Sequence, residues 1–190
     1  MKAVERGDDE TVQKLLEQGA PVDGTDAKGI TPLMLAVYEY LPLTAAILIK
    51  AGANLGMRDA KGNTPLHWVM ERNELAPNLA CIKMMLDAGA EIEARNDLGE
   101  TPLFKGIKCA GTLADYVDDH AKPALLLIEY GADVNIRNLE GQSLKERLLM
   151  SARGFSDDEF RLVHAAIEGK LLMGSTVSSG ASPSAPTRRI

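Results

Sequence analysis

The chain has 190 residues and a net charge of −6, with a pI near 5.1. It is long enough to bury its own core, and an acidic surface excludes general affinity for nucleic acid or an anionic membrane, since it releases no counterions from either. Hydrophobic content is 45% and charged content 25%, ordinary for a soluble globular protein, and no apolar run reaches the ~18 residues that a membrane span needs.

In chain order, the first stretch is AVERGDDETVQKLLEQGA, Ala3 to Ala20. It predicts a first helix cut down to about six residues, short for an isolated helix, and a second helix ending at Gly19. DAKGITPLML follows from Asp26 to Leu35, and DAKGNTPLHW, from Asp59 to Trp68, restates it 33 residues later. NDLGETPLFK, from Asn96 to Lys105, is a third version, and Ser143 takes the threonine's place in a degenerate last copy. A second phrase keeps step with the first. Gly-Ala pairs begin at Gly19, Gly52, Gly89 and Gly131, with spacings of 33, 37 and 42. Thr31, Thr64, Thr101 and Ser143 are separated by the same increments. Two landmarks with equal increments define one repeating unit that carries internal insertions.

The residue types fit a helix pair per unit. Thr31, Thr64 and Thr101 each precede a proline; threonine caps a helix N-terminus, and proline suits the first helical position, where no N–H is needed. Leu33, Ala36 and Val37 then fall at helical spacing. A second helix carries Ile47 and Leu48 and their counterparts Met84, Met85, Leu126 and Leu127. The glycine of each Gly-Ala pair ends that helix, where a left-handed cap favours it. One such pair cannot bury its apolar faces alone, so neighbouring units must stack.

On these residues the chain resembles the ankyrin-repeat family, whose period is about 33 residues and whose signature is T-P-L-H-x-A. TPLH at residues 64–67 matches in full and TPLMLA at 31–36 nearly so. The resemblance covers about residues 3–170. It implies an all-α solenoid of helix-turn-helix units joined by β-hairpin-like fingers. The units are 1–25 (partial), 26–58, 59–95, 96–137 and 138–170 (a degenerate C-terminal cap), together a domain of residues 1–173. GSTVSSGASPSAPTRRI, residues 174–190, is rich in Ser, Gly, Pro and Ala and reads as a disordered tail.

Departures from the pattern mark the individual chain. The 59–95 unit has extra residues around Arg72 to Asn78, and the 96–137 unit has a longer insertion within Cys109 to Pro123. Both fall between the helices of their unit. In the longer one, Leu113, Tyr116 and Val117 at helical spacing, with Thr112 and Asp115 as a capping-box variant, predict an added short helix or turn. In the last unit Lys145, Glu146 and Arg147 interrupt the apolar pattern of the first helix. Ser156 with Glu159 predicts a capped second helix over about residues 157–172.

Candidate chemistry is sparse. His67 belongs to the signature, where the resemblance implies hydrogen bonds to turn backbone. DYVDDH, Asp115 to His120, could hold a metal but equally suits an exposed acidic loop. Cys81 and Cys109 lack metal or redox spacing and read as buried thiols in a reducing compartment. Arg58, Arg95 and Arg137 recur at equivalent positions; local pairing, as of Arg58 with the adjoining Asp59, is favoured over a basic stripe. The reading assigns no catalytic residue, cofactor or metal. It predicts a protein-interaction module, a scaffold, adaptor or regulatory binding protein, monomeric, with another protein as partner and neither nucleic acid nor membrane. The N-terminus lacks a signal peptide, so the expected location is the cytoplasm, with export by a signal-independent route as the alternative. The resemblance implies that concave helix ends and finger tips form the binding surface, here Tyr38, Glu39, Glu71, Arg72 and Lys108 with Lys28, Ile30, Lys61, Asn63, Leu98 and Glu100. The other readings are a bacterial effector that mimics a host scaffold, a fragment of a larger repeat protein, and, more distantly, an enzyme built on the 109–123 insertion.

Overall fold

The computed structural model describes residues 1–71, 79–109, 121–150 and 157–177. The helices are α1 (Lys2–Glu5), α2 (Asp9–Glu17), α3 (Pro32–Tyr38), α4 (Pro42–Lys50), α5 (Pro65–Glu71), α6 (Leu79–Asp87), α7 (Pro102–Cys109), α8 (Ala121–Glu129), α9 (Leu144–Met150) and α10 (Asp157–Val177). The odd-numbered helices stack on one another as an inner layer, α1 to α9, and the even-numbered ones as an outer layer, α2 to α10. This is the two-layer all-α solenoid that the repeat predicts.

The core runs the length of the stack between the layers. Leu33, Met34 and Val37 of α3 are buried, as are Leu66 and Met70 of α5, Leu103, Phe104 and Ile107 of α7, and Leu144 and Leu148 of α9. Leu48, Ile82, Met85, Leu127, Val163 and Ile167 close it from the outer layer. Each inner unit buries its apolar stripe against two neighbours and each end unit against one, so no unit is a core by itself.

The caps form where threonine precedes proline. The Thr31 hydroxyl accepts from the Met34 N–H at 3.1 Å, and Thr101 Oγ1 from the Phe104 N–H at 3.3 Å. The degenerate copy keeps the function with a different partner. Ser143 Oγ accepts from the Glu146 N–H at 3.2 Å, and the Glu146 carboxylate accepts from the Ser143 N–H at 2.7 Å. These bonds hold the Glu146 carboxyl below the usual carboxylate range. The polar run of the last unit therefore does not interrupt α9. Glu146 caps it, Lys145 reaches Glu168 of α10 at 2.6 Å, and Arg147 pairs inward. Two lengths differ from expectation: α1 is shorter, Lys2–Glu5, and α10 runs past residue 172 to Val177. The insertions at 72–78 and 110–120, the Thr112 and Ser156 caps, the DYVDDH cluster and the tail from 178 lie outside the described residues.

The fingers share one construction. The first residue of each accepts two main-chain N–H bonds: Asp26 from Lys28 and Ile30, Asp59 from Lys61 and Asn63, Asn96 from Leu98 and Glu100, Asn138 from Glu140 and Gln142. One backbone bond joins each finger to the next, from Ala60 N–H to the Lys28 carbonyl (2.8 Å), Asp97 N–H to Lys61 (3.1 Å) and Leu139 N–H to Leu98 (2.9 Å). That closeness explains a glycine. Gly62 has φ +73, and a Cβ there would meet the Asp97 backbone nitrogen at 2.9 Å, whereas Gly52, with φ +88, has nothing within 4 Å of that position. Gly52→Ala should cost on the order of 1 kcal/mol, from backbone strain alone. Gly62→Ala should cost at least about 1 kcal/mol more, because the finger contact must also give way. Urea midpoints of the two variants test this; equal losses would mean that finger contact adds nothing.

Candidate partner-binding cleft

The inner layer and the fingers meet in a polar seam, and the seam fixes the aromatic pair of Tyr38 and Trp68. Asp59 starts it. Its carboxylate accepts from the N–H groups of Lys61 and Asn63 (both 2.8 Å), from Asn63 Nδ2 (3.0 Å) and from the Trp68 indole N–H (2.9 Å). Burial pushes the Asp59 pKa up, but the bonds from Asn63, Lys61 and Trp68 outweigh it, and the carboxyl stays below its ordinary range. Trp68 is thereby held in one orientation. Tyr38, the last residue of α3, packs edge-on against it, with ring centroids 5.3 Å apart and planes at 75°.

A cleft of about 470 Å³ opens over this pair. Lys28, Ile30, Ala60 and Lys61 of two fingers line it, together with Glu39 and Glu71 at the ends of α3 and α5. Asp59 and Asn63 lie at its base, with Leu35 beside Tyr38 and Trp68. Most of the residues expected at a binding surface thus come together: Lys28, Ile30, Tyr38, Glu39, Lys61, Asn63 and Glu71 all border this one cleft. Leu98 is exposed but sits on the next finger, beside exposed Leu139. Arg72 lies outside the described residues, as does the side chain of Lys108, whose backbone is in α7. Trp68 was not anticipated; its place next to His67 in the signature phrase reads as core, and only its half-buried position reveals it.

Two of the expected surface residues are corrected. Asn63 is 2% exposed and fully engaged. Its amide donates to Asp59, and its Oδ1 accepts from Asn96 Nδ2 at 3.1 Å and from Lys105 Nζ at 3.0 Å. Lys105, itself buried, also pairs with Glu71 at 3.2 Å. Glu100 is 4% exposed, and its carboxylate holds Arg147 of α9 at 2.8 Å. Both side chains are spent on joining units: Asn63 lies under the cleft with its amide already bonded, and Glu100 is turned to α9.

His67 completes the seam. Its Nδ1 accepts from the Thr64 N–H at 3.1 Å, so Nε2 carries the proton and donates to the Glu100 carbonyl at 3.0 Å. Burial lowers its pKa to about 4; the bond to Glu100 opposes this, and the Lys105 and Arg58 charges add to it. The structural role expected of this histidine is what the geometry provides. The recurring arginines are likewise used locally. Arg58 Nη1 donates to the carbonyls of Gly62 and Arg95, and Arg95 Nη1 to those of Gly99 and Arg137. Each staples its own finger to the next, through carbonyls and not through a neighbouring aspartate.

Sequence comparison decides the family. The family described as "Ankyrin repeats (3 copies)" matches residues 1–96 and 40–138. The chain belongs to the ankyrin-repeat family. Among similar proteins, mouse palmitoyltransferase ZDHHC13 is 34% identical over 95 residues, 49% of this chain and 15% of that protein. Putative ankyrin repeat protein FPV024 of fowlpox virus is 28% identical over 118 residues, 61% of this chain and 18% of its own length. Ankyrin repeat and SOCS box protein 6 of Pongo abelii is 27% identical over 146 residues, 76% of this chain and 33% of that protein. The ankyrin-repeat chain therefore spans a third or less of the length of each of these relatives. Among its described residues no helix is long and apolar enough to cross a membrane.

The seam of this ankyrin-repeat protein makes two predictions. With a folded-state pKa of about 4 against about 6.5 in an unfolded chain, His67 takes up its proton first in the unfolded state. Its contribution is full above about pH 6.5 and is lost as pH falls toward 4, up to about 3 kcal/mol in all. Urea unfolding at pH 7 and pH 5 should show this loss in the parent and a shallower one in His67→Leu, itself destabilised at pH 7. Equal slopes would remove His67 as the source. Separately, Glu100→Ala should cost about 2 kcal/mol by leaving the part-buried Arg147 guanidinium without its carboxylate, with only Gln142 and the Phe104 ring beside it, whereas Lys145→Ala, at a half-exposed pair, should cost well under about 1 kcal/mol. Calorimetric melting of both variants makes the comparison; similar losses would deny Glu100 its internal role.

Proposed function

We propose that this chain is a protein-interaction module and that the cleft over Tyr38 and Trp68 receives a segment of a partner protein, as in a scaffold or adaptor. The observation that carries the reading is the aromatic pair, 5.3 Å apart and half-buried, with the indole anchored by Asp59. Tyrosine and tryptophan most often dominate binding energy at interfaces, and a pre-fixed pair loses little side-chain freedom when covered. The cleft volume of about 470 Å³ suits one or two side chains of a bound segment. The family membership supports the same reading, since stacked repeats supply an extended recognition surface. Fold alone does not name the partner.

The test uses the chain's only tryptophan as its probe. Peptides selected from a random dodecapeptide display library against the parent chain should shift Trp68 emission on binding. Tyr38→Ala should weaken them by about 2 kcal/mol, with helicity by circular dichroism unchanged. Selected peptides that bind both chains equally and leave Trp68 emission unmoved would put the interface elsewhere.

A further inference from the structure

The charges around the cleft are not equally open to a ligand. Asp59 already accepts four hydrogen bonds, Glu71 is paired with Lys105 at 3.2 Å, and Glu39, exposed at the end of α3, is not free either. Lys28 and Lys61 differ. They occupy equivalent positions on adjacent fingers, both are exposed, and neither ammonium is in an ion pair with a described residue. The bond from Ala60 N–H to the Lys28 carbonyl holds the two fingers side by side. On a chain of net charge −6, this lip offers a ligand two cations at the mouth of an aromatic cleft. Farther along the same edge the character changes. The equivalent position of the third finger is Leu98, 53% exposed, and the next finger presents Leu139, 76% exposed. Exposed Asp97 stands beside Leu98, and exposed Glu140, at the position equivalent to the lysines, beside Leu139, so the lysine pair is confined to the first two fingers and the edge beyond it is mixed apolar and acidic.

We infer that the occupant of the cleft is an extended acidic–apolar segment of a partner protein, with an Asp or Glu side chain at Lys28 and Lys61 and a neighbouring aliphatic or aromatic side chain against Tyr38 and Trp68. This rests on the proposal that the cleft is the partner site, and it adds the chemistry of what enters. The carboxylate gains charge-assisted hydrogen bonds from the two ammonium groups. The apolar side chain covers ring surface that is otherwise wetted. A second apolar residue on the same segment reaches toward Leu98. A basic segment meets the opposite conditions, because Lys28 and Lys61 repel it and the cleft's three carboxylates, Asp59, Glu71 and Glu39, already have partners.

The experiment compares peptide pools selected from the same dodecapeptide library on the parent chain and on the double variant Lys28→Glu/Lys61→Glu. Both positions are exposed and contribute only backbone atoms to the fingers, so the variant keeps its fold, with circular dichroism as the control. The parent pool should be enriched in Asp or Glu within a few residues of an aliphatic or aromatic residue, and the variant pool in Lys or Arg instead. Peptides from the parent pool should bind the variant at least tenfold more weakly by Trp68 emission, and added salt should narrow that gap. A short single-stranded DNA should compete poorly; equal competition would mean an unselective anion-binding lip and would overturn the inference. So would an unchanged acidic preference in the variant, or no acidic preference in the parent, and either leaves the cleft itself standing as a binding site. If instead no selected peptide moves Trp68 emission, the cleft reading fails and this inference with it.

Discussion

Glu100 is held from three directions. Its N–H donates to Asn96 within its own finger, its carbonyl accepts from His67 of the preceding unit, and its carboxylate pairs with Arg147 of the following one. At 4% exposure none of these groups can fall back on water. A buried carboxylate is tolerable only with its charge paired and its remaining oxygens satisfied. That requirement fixes where α5, α7 and α9 stand relative to one another. Asn63, with Asp59, Asn96 and Lys105, meets the same requirement one unit earlier. The inner layer is therefore located by directional bonds. The outer layer is closed mainly by side chains such as Leu48, Ile82, Met85 and Leu127, with one hydrogen bond from Thr44 to Asp9 and one from Tyr130 to Asp87.

The cleft inherits its rigidity from that seam. Asp59 organises the second finger and fixes the Trp68 indole, so the proposed recognition surface and the joint between units share an atom group. Such a site changes shape little when filled, and its affinity comes from what is already in place. The same sharing explains why the polar residues nearest the cleft divide into two kinds. Lys28 and Lys61 are exposed at the finger tips, and Asn63, two residues after Lys61, is buried, as is Glu100 at the equivalent place of the next finger.

Much of this architecture could be read from the residues in order. The equal increments of the two phrases set the units, and Thr-Pro located the starts of α3, α5 and α7. The aspartate or asparagine opening each finger was visible too, although its double acceptor role needs the folded turn. What stayed hidden has a common cause. Ile30, Asn63, Glu100 and Gln142 hold the same register position, but whether that position faces a partner or the next unit depends on contacts 33 or more residues away. Arg58 looked as though it would answer to Asp59 beside it, and instead it reaches carbonyls of its own finger and of the next unit. Trp68 was concealed by its company: a large apolar residue following Thr-Pro-Leu-His belongs by pattern to the core, and its indole proton alone required a partner near the surface.

The unequal unit lengths have an evolutionary meaning. The four fingers close with the same bonds although the units behind them are 33, 37 and 42 residues apart. All the added length falls between α5 and α6 or between α7 and α8, at the end of each helix pair remote from the finger that feeds it. Register on one edge is thus insulated from insertion on the other. Such a chain can acquire or discard whole loops without resetting the alignment of its finger tips, so its two edges are free to diverge at different tempos, one by substitution and the other by length.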